Sequence, residues 1–215
     1  MLIGLAGSHR TGKTTLAKAF AEKQGGAFLE TSVSAIFRDL GYDPAAVFDF
    51  ATRLHIQEEV LTRIEKLYAS APFGSLVVCD RSPVDMAAYT TAEAVGDSVP
   101  ASLQERYRAY IERCFEVTNR RFSAIVVVQP GIPVVHEAGK AVSNPAYMEH
   151  MNTLCLGLLN DERLKSAHFF VPRSIVSLDD RLEALEGAIG RLREMAGQML
   201  GRQTVTGVAP SRLIH

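Results

Sequence analysis

Gly7-Ser8-His9-Arg10-Thr11-Gly12-Lys13-Thr14 follows directly on the apolar run Leu2 to Ala6 and leads into Thr15-Leu-Ala-Lys-Ala-Phe-Ala-Glu, where Leu16, Ala19 and Phe20 share one helical face. The eight residues fit G-x-x-x-x-G-K-[ST], and their place between a strand and a helix restricts the chain to folds in which a strand end feeds a helix start. Two glycines let the loop backbone turn its N–H groups toward one point, which makes an anion cradle. The amides of Ser8, His9, Arg10, Thr11 and Thr15 complete that cradle. Lys13 then reaches the β- and γ-phosphates of a nucleoside triphosphate, the Thr14 hydroxyl ligates Mg²⁺, and the helix opening near Gly12 adds the positive end of its dipole. ATP and Mg²⁺ are the expected cofactors. The competing reading is an ordinary glycine-rich turn.

Beyond this loop, short apolar runs alternate with longer helical patterns, as in βαβ units that build a parallel sheet with helices on both faces. Five strands are expected, at Leu2 to Ala6, Ala27 to Glu30, Leu76 to Cys79, Ala124 to Val128 and His168 to Val171. Helices are expected at Thr14 to Gln24, Ala45 to Ala69, Val84 to Ala94, Ser102 to Asn119, Pro145 to Asn160 and Asp179 to Met199. With 215 residues, 47% of them apolar, one compact domain over residues 1–200 accounts for the chain, and Gly201 to His215 reads as a loose tail. Cys79, Cys114 and Cys155 lie far apart and lack metal-binding spacing, so reduced core thiols are expected. A net charge of −1 supplies no global basic footprint for nucleic acid. No apolar run approaches the length of a membrane span, and no export signal is visible, so the protein is expected to be soluble and cytoplasmic.

Ligands on such sheets gather at the carboxyl ends of the strands. Asp80-Arg81-Ser82-Pro83 stands at one of these ends. Asp80 there can share Mg²⁺ with Thr14 or take a proton from an attacking hydroxyl, and Arg81 can grip phosphate in bidentate fashion. Ser82 before Pro83 reads as a helix N-cap. The combination of this element with the phosphate loop resembles the P-loop nucleoside and nucleotide kinases. It is most similar to small bacterial and phage AAA-type kinase-like proteins grouped with the nicotinamide riboside kinase domain, in which Asp-Arg-Ser-Pro precedes an Asp-x-x-Ala-Tyr segment, here Asp85 to Tyr89. The resemblance implies a three-layer P-loop NTPase fold and phosphoryl transfer from ATP to a small acceptor, and it specifies the donor site better than the acceptor.

The same resemblance assigns candidate roles to further residues. Arg10 matches an arginine that some thymidylate kinases carry inside the loop, where it offsets charge on the transferring group; a solvated loop residue is the alternative. Glu30 stands where similar nucleoside kinases keep a general base, and with Asp80 it competes for that role; a cap opening a short helix through Ile36 and Phe37 is the alternative. Arg53 and Gln57, four apart, share a helical side and are expected at the acceptor pocket or else on a solvated face. Gln129 to Pro145 reads as a lid over the phosphates, with Lys140 and His136 as its cations, whereas similar kinases bring arginines there. Arg173 falls where related kinases contact adenine. His9 is expected to be structural or exposed.

Three functional classes fit these residues. The first is a kinase acting on a nucleoside or nucleoside monophosphate. The second is a nucleic-acid kinase acting on a polynucleotide end or on a hydroxymethylpyrimidine in phage DNA. The third is a nucleotide-dependent regulatory ATPase. The expected partners are the nucleoside or nucleotide acceptor and, in the second class, DNA, with no membrane; a homodimer is compatible with each.

Overall fold

The computed structural model describes residues 1–72, 74–133 and 144–206. Five strands form one sheet: β1 (Leu2–Ala6), β2 (Ala27–Leu29), β3 (Val77–Cys79), β4 (Ala124–Val128) and β5 (Ala167–Val171). All pairings are parallel and the spatial order is β2-β3-β1-β4-β5. Between them run α1 (Lys13–Lys23), α2 (Val33–Asp39), α3 (Phe50–Ala69), α4 (Pro83–Thr91), α5 (Ala101–Arg121) and α6 (Pro145–Leu159), and α7 (Leu178–Thr206) follows β5. This is a three-layer α/β P-loop architecture, as the alternation of apolar runs implied.

The two-residue period of a strand sorts its side chains between two cores. Leu2, Ala6, Val77, Cys79, Ile125 and Val127 face α3, α4, α5 and α6. Ile3, Leu5, Val78, Val126 and Val171 face α1 and α7. Every residue of β1, β3 and β4 is buried, because both sheet faces are covered. The three cysteines are free and buried, and burial pushes each thiol up to about 12, so none supplies a thiolate near neutrality. No helix among the described residues is long and apolar enough to cross a membrane.

Most boundaries fall within a few residues of expectation, and the departures have local causes. The long α3 starts at Phe50, not Ala45. Asp49 accepts a hydrogen bond from the Thr52 amide at 2.7 Å and caps it there, while Asp43 holds the Ala45 amide at 2.9 Å in a separate turn. Beyond Glu30, α2 forms through Ile36 and Phe37, but Ser32 at its N-cap position makes no side-chain cap bond and has φ 44°. At the other end α7 continues to Thr206, six residues into the segment expected to be a loose tail.

Candidate active site

Strand β1 lies between β3 and β4, so the order of strands reverses around it and its carboxyl end opens a crevice. The loop from Gly7 to Gly12 fills that crevice. Gly7 has φ 133°, and a Cβ there would stand 2.6 Å from the Val128 carbonyl oxygen; Gly12 has φ 79° and immediately precedes α1. Both positions therefore require glycine. Arg10 adopts φ 60°, a left-handed turn uncommon for a side-chain-bearing residue.

Inside the loop the Lys13 ammonium donates to the carbonyl oxygens of Gly7 at 2.8 Å and Ser8 at 2.6 Å. Burial strips its hydration and lowers its pKa to about 8, against the opposing pull of Asp85 and Asp80. Thr11 donates to the Ser8 carbonyl at 3.1 Å, and the buried Ser8 hydroxyl has no protein partner. Thr14 and Thr15 are exposed at the mouth of the loop, on the first turn of α1.

The end of β3 supplies the acids. Thr14 donates its hydroxyl to Asp80 Oδ2 at 3.0 Å, while Asp80 Oδ1 accepts from the Thr31 amide at 3.2 Å and the Thr31 hydroxyl at 3.1 Å. Thr31 therefore orients the carboxylate instead of capping α2. Five residues on, Asp85 is fully buried; its Oδ1 accepts the Gly7 amide at 2.9 Å and its Oδ2 pairs with Arg81 at 2.5 Å. The Arg81 guanidinium in turn lies 5.2 Å from the Tyr89 ring centroid. One carboxylate thus ties the phosphate loop to the arginine at the end of β3. Ser82 accepts from the Asp85 amide at 3.4 Å and Pro83 opens α4, as expected for a capped start.

Beyond Arg81 lies a cavity of about 150 Å³ lined by Val33, Phe37, Arg53, Gln57, Met86 and Tyr89 among others. Arg53 and Gln57 thus face the cavity together. The charge-rich side of α3 meets α5 instead, where Glu58 pairs with Arg106 and Glu65 with Arg113. Glu30 is exposed and does not line the cavity. Arg173 is likewise exposed and its guanidinium is engaged by the Glu149 carboxylate at 2.5 and 2.6 Å. His9 is half-buried against the Tyr147 ring, with centroids 5.6 Å apart; desolvation, then the nearby Lys13, Arg81 and Arg10, holds its pKa down, so it is neutral at pH 7. Lys140 and His136, and with them most of the expected lid, lie outside the described residues.

Two contributors escaped the sequence reading. Asp85 stands four residues after Arg81 at a helix start, a spacing that brings opposite charges together, and this was the available signal. Arg181 on α7 had none. It is buried, donates from one terminal nitrogen to the Thr11 carbonyl at 2.8 Å and from Nε to the Ile175 carbonyl at 2.8 Å.

The donor set fits a magnesium-bound polyphosphate. A hydroxyl and a carboxylate 3.0 Å apart are hard oxygen ligands of the kind Mg²⁺ takes when phosphates and water supply the rest of its octahedron. Among the described residues no three His, Cys, Asp or Glu side chains cluster to hold a metal by themselves.

Comparison with known sequences bears on residues 2–168, which match the profile of a family described as AAA domain. The chain belongs to that family. No curated protein matches this AAA domain in sequence. Among solved structures its fold is similar to that of a deoxyadenosine kinase from M. mycoides with bound dATP, at TM-score 0.62 and 16% identity over 88% of this chain and 100% of that one. It is also similar to a NadR protein in complex with NR, at TM-score 0.61 and 15% identity over 99% of this chain and 52% of that one. Thymidylate kinase from Candida albicans follows at TM-score 0.54 and 14% identity, over 89% and 92%. At such identities the likeness is one of fold.

Proposed function

We propose that this AAA domain is a phosphotransferase that moves the γ-phosphoryl group of Mg-ATP to a small nucleoside-type acceptor, a nucleoside or a nucleoside monophosphate. The observation that carries the reading is the continuity of the site: Lys13, Thr14 and Asp80 lie at the phosphate loop, and Arg81 joins that loop, through Asp85, to the cavity beside Gln57 and Arg53. A donor cradle that opens through an arginine onto a second cavity, largely apolar with a few polar side chains, suits group transfer better than hydrolysis alone. The solved kinases of the same fold, which act on deoxyadenosine and thymidylate by their names, support the choice of acceptor class. In this reading residues 1–200 work as one kinase domain, with residues 129–145 as its lid.

The roles follow from the geometry. Loop amides and the Lys13 ammonium neutralise the β- and γ-phosphates once the ammonium exchanges the Gly7 and Ser8 carbonyls for phosphate oxygens. Thr14 and Asp80 would hold Mg²⁺, which supplies charge neutralisation across the two phosphates. Arg81, held by Asp85, is placed to stabilise the equatorial oxygens of the transferring group, with Arg10 as a second cation on the loop. Gln57 and Arg53 orient the acceptor. Thr31 holds Asp80 directed toward Thr14.

Transfer of label from γ-labelled Mg-ATP to nucleosides, nucleoside monophosphates and DNA tests the reading. Label in a small-molecule product is the expected outcome, and Lys13→Ala is expected to lower the rate by at least about a hundredfold, the scale of a lost charge-stabilising donor. Label confined to DNA or to free phosphate would overturn it.

A further inference from the structure

The charge inventory of the acceptor cavity, once the site is read as a phosphotransferase, narrows the acceptor. Two guanidinium groups, Arg53 and Arg81, line the cavity, and among the described residues no carboxylate does. Arg81 has its counter-charge in Asp85, whose two oxygens are already engaged by Gly7 and Arg81. The carboxylate paired with Arg53 is that of Glu93, 3.8 Å away, on a side chain 41% exposed, a separation beyond hydrogen-bond range.

The surroundings of Arg53 hold its charge without neutralising it. Its guanidinium carbon lies 5.1 Å from the Phe48 ring centroid and 5.9 Å from that of Phe37, while its Nε is buried with no hydrogen-bond partner. The Tyr89 hydroxyl, on the same cavity, is also buried without a partner of acceptable hydrogen-bond geometry. Gln57, 6% exposed, adds an amide to the lining. Buried donors left unpaired are sites where an acceptor oxygen gains a full hydrogen bond. The cavity therefore presents an excess of positive charge and unmatched donors to whatever enters it.

We propose that the acceptor enters carrying its own phosphate, a nucleoside monophosphate, and that Arg53 is the residue that selects for that anion over the neutral nucleoside. The exposed place of Glu30, outside the cavity lining, accords with this choice, since a phosphate acceptor needs no general base. The balance is simple: an oxygen of the acceptor's phosphate dianion forms the new P–O bond to the γ-phosphorus, the bond from that phosphorus to the β,γ-bridging oxygen breaks, and ADP leaves with the electron pair. No proton has to be removed from the attacking atom. The products are a nucleoside diphosphate and ADP.

The test is a kinetic comparison of matched nucleoside and nucleoside monophosphate pairs with Mg-ATP, on wild type, Arg53→Gln and Arg53→Lys. The expected result is a kcat/KM for the monophosphate at least about tenfold above that of its nucleoside. Arg53→Gln raises KM for the monophosphate by about ten- to a hundredfold, the range for losing a charge-assisted hydrogen bond, with kcat changed far less, and Arg53→Lys recovers part of the loss. Preference for the nucleoside, or an equal effect of Arg53→Gln on both acceptors, would overturn the selection by Arg53 while leaving phosphotransfer intact. Transfer to neither acceptor by a folded, ATP-binding protein would overturn both this assignment and the phosphotransferase reading.

Discussion

Lys13 is an ammonium held by carbonyls instead of a carboxylate, and its pH behaviour follows from that placement. Its pKa is about 8 in the folded protein, against about 10.4 for an unperturbed lysine, so between those values the unfolded chain binds more protons than the folded one. Stability attributable to this residue accordingly rises with pH across that window and is lowest below about pH 8. Replacing it with methionine removes the buried charge at every pH. The stability difference between wild type and Lys13→Met is therefore expected to move in favour of wild type as the pH climbs from 8 to 10.5, which urea unfolding of both proteins across that range would reveal. A difference independent of pH would mean that the ammonium is better hydrated than its burial implies. At the same scale, His9 packs on Tyr147 in keeping with a structural residue, and its depressed pKa makes it a poor phosphate cation at neutrality.

At the level of elements, the start of α4 carries more of the site than any segment except the phosphate loop. Ser82 and Pro83 set where the helix begins, and that phase points Asp85 inward to Gly7 and Arg81 at once. Asp85→Asn keeps an oxygen for the Gly7 amide but leaves Arg81 without its counter-ion. A loss of about 3 kcal/mol is expected, the low end for a broken buried pair, because Arg81 keeps 28% of its side-chain surface in water. Chemical denaturation measures this, and phosphotransfer should fall alongside it because Arg81 is no longer aimed. The helix and its cap were readable in Asp80-Arg81-Ser82-Pro83, since capping is local chemistry. The Asp85 contact with Gly7 was not, because its partner lies 78 residues away.

Across the whole molecule, the phosphate loop is held from both sides of the sheet. Asp85 grips it from the α4 side, and Arg181 reaches it from α7, with its hydrogen bonds to Thr11 and Ile175 tying the last helix to the first loop. Arg181→Ala would remove the donor of the buried Thr11 carbonyl and of the half-buried Ile175 carbonyl and open a void, so a destabilisation of about 2–4 kcal/mol is expected, measured by urea unfolding, together with weaker ATP binding by titration. Unchanged ATP affinity in a destabilised variant would confine Arg181 to the fold. The sequence by itself determined the strand–loop–helix at the amino end and the five parallel strands, because a glycine pattern, apolar runs and helix caps act over a few neighbouring residues. Tertiary structure decided which charges meet: α3 turned Arg53 and Gln57 into the cavity and its acidic residues toward α5, Thr31 served Asp80 instead of a helix cap, Arg173 went to Glu149, and Arg181 crossed the molecule to Thr11. Periodicity says which side chains share a face, but only the packing of the elements chooses what that face meets.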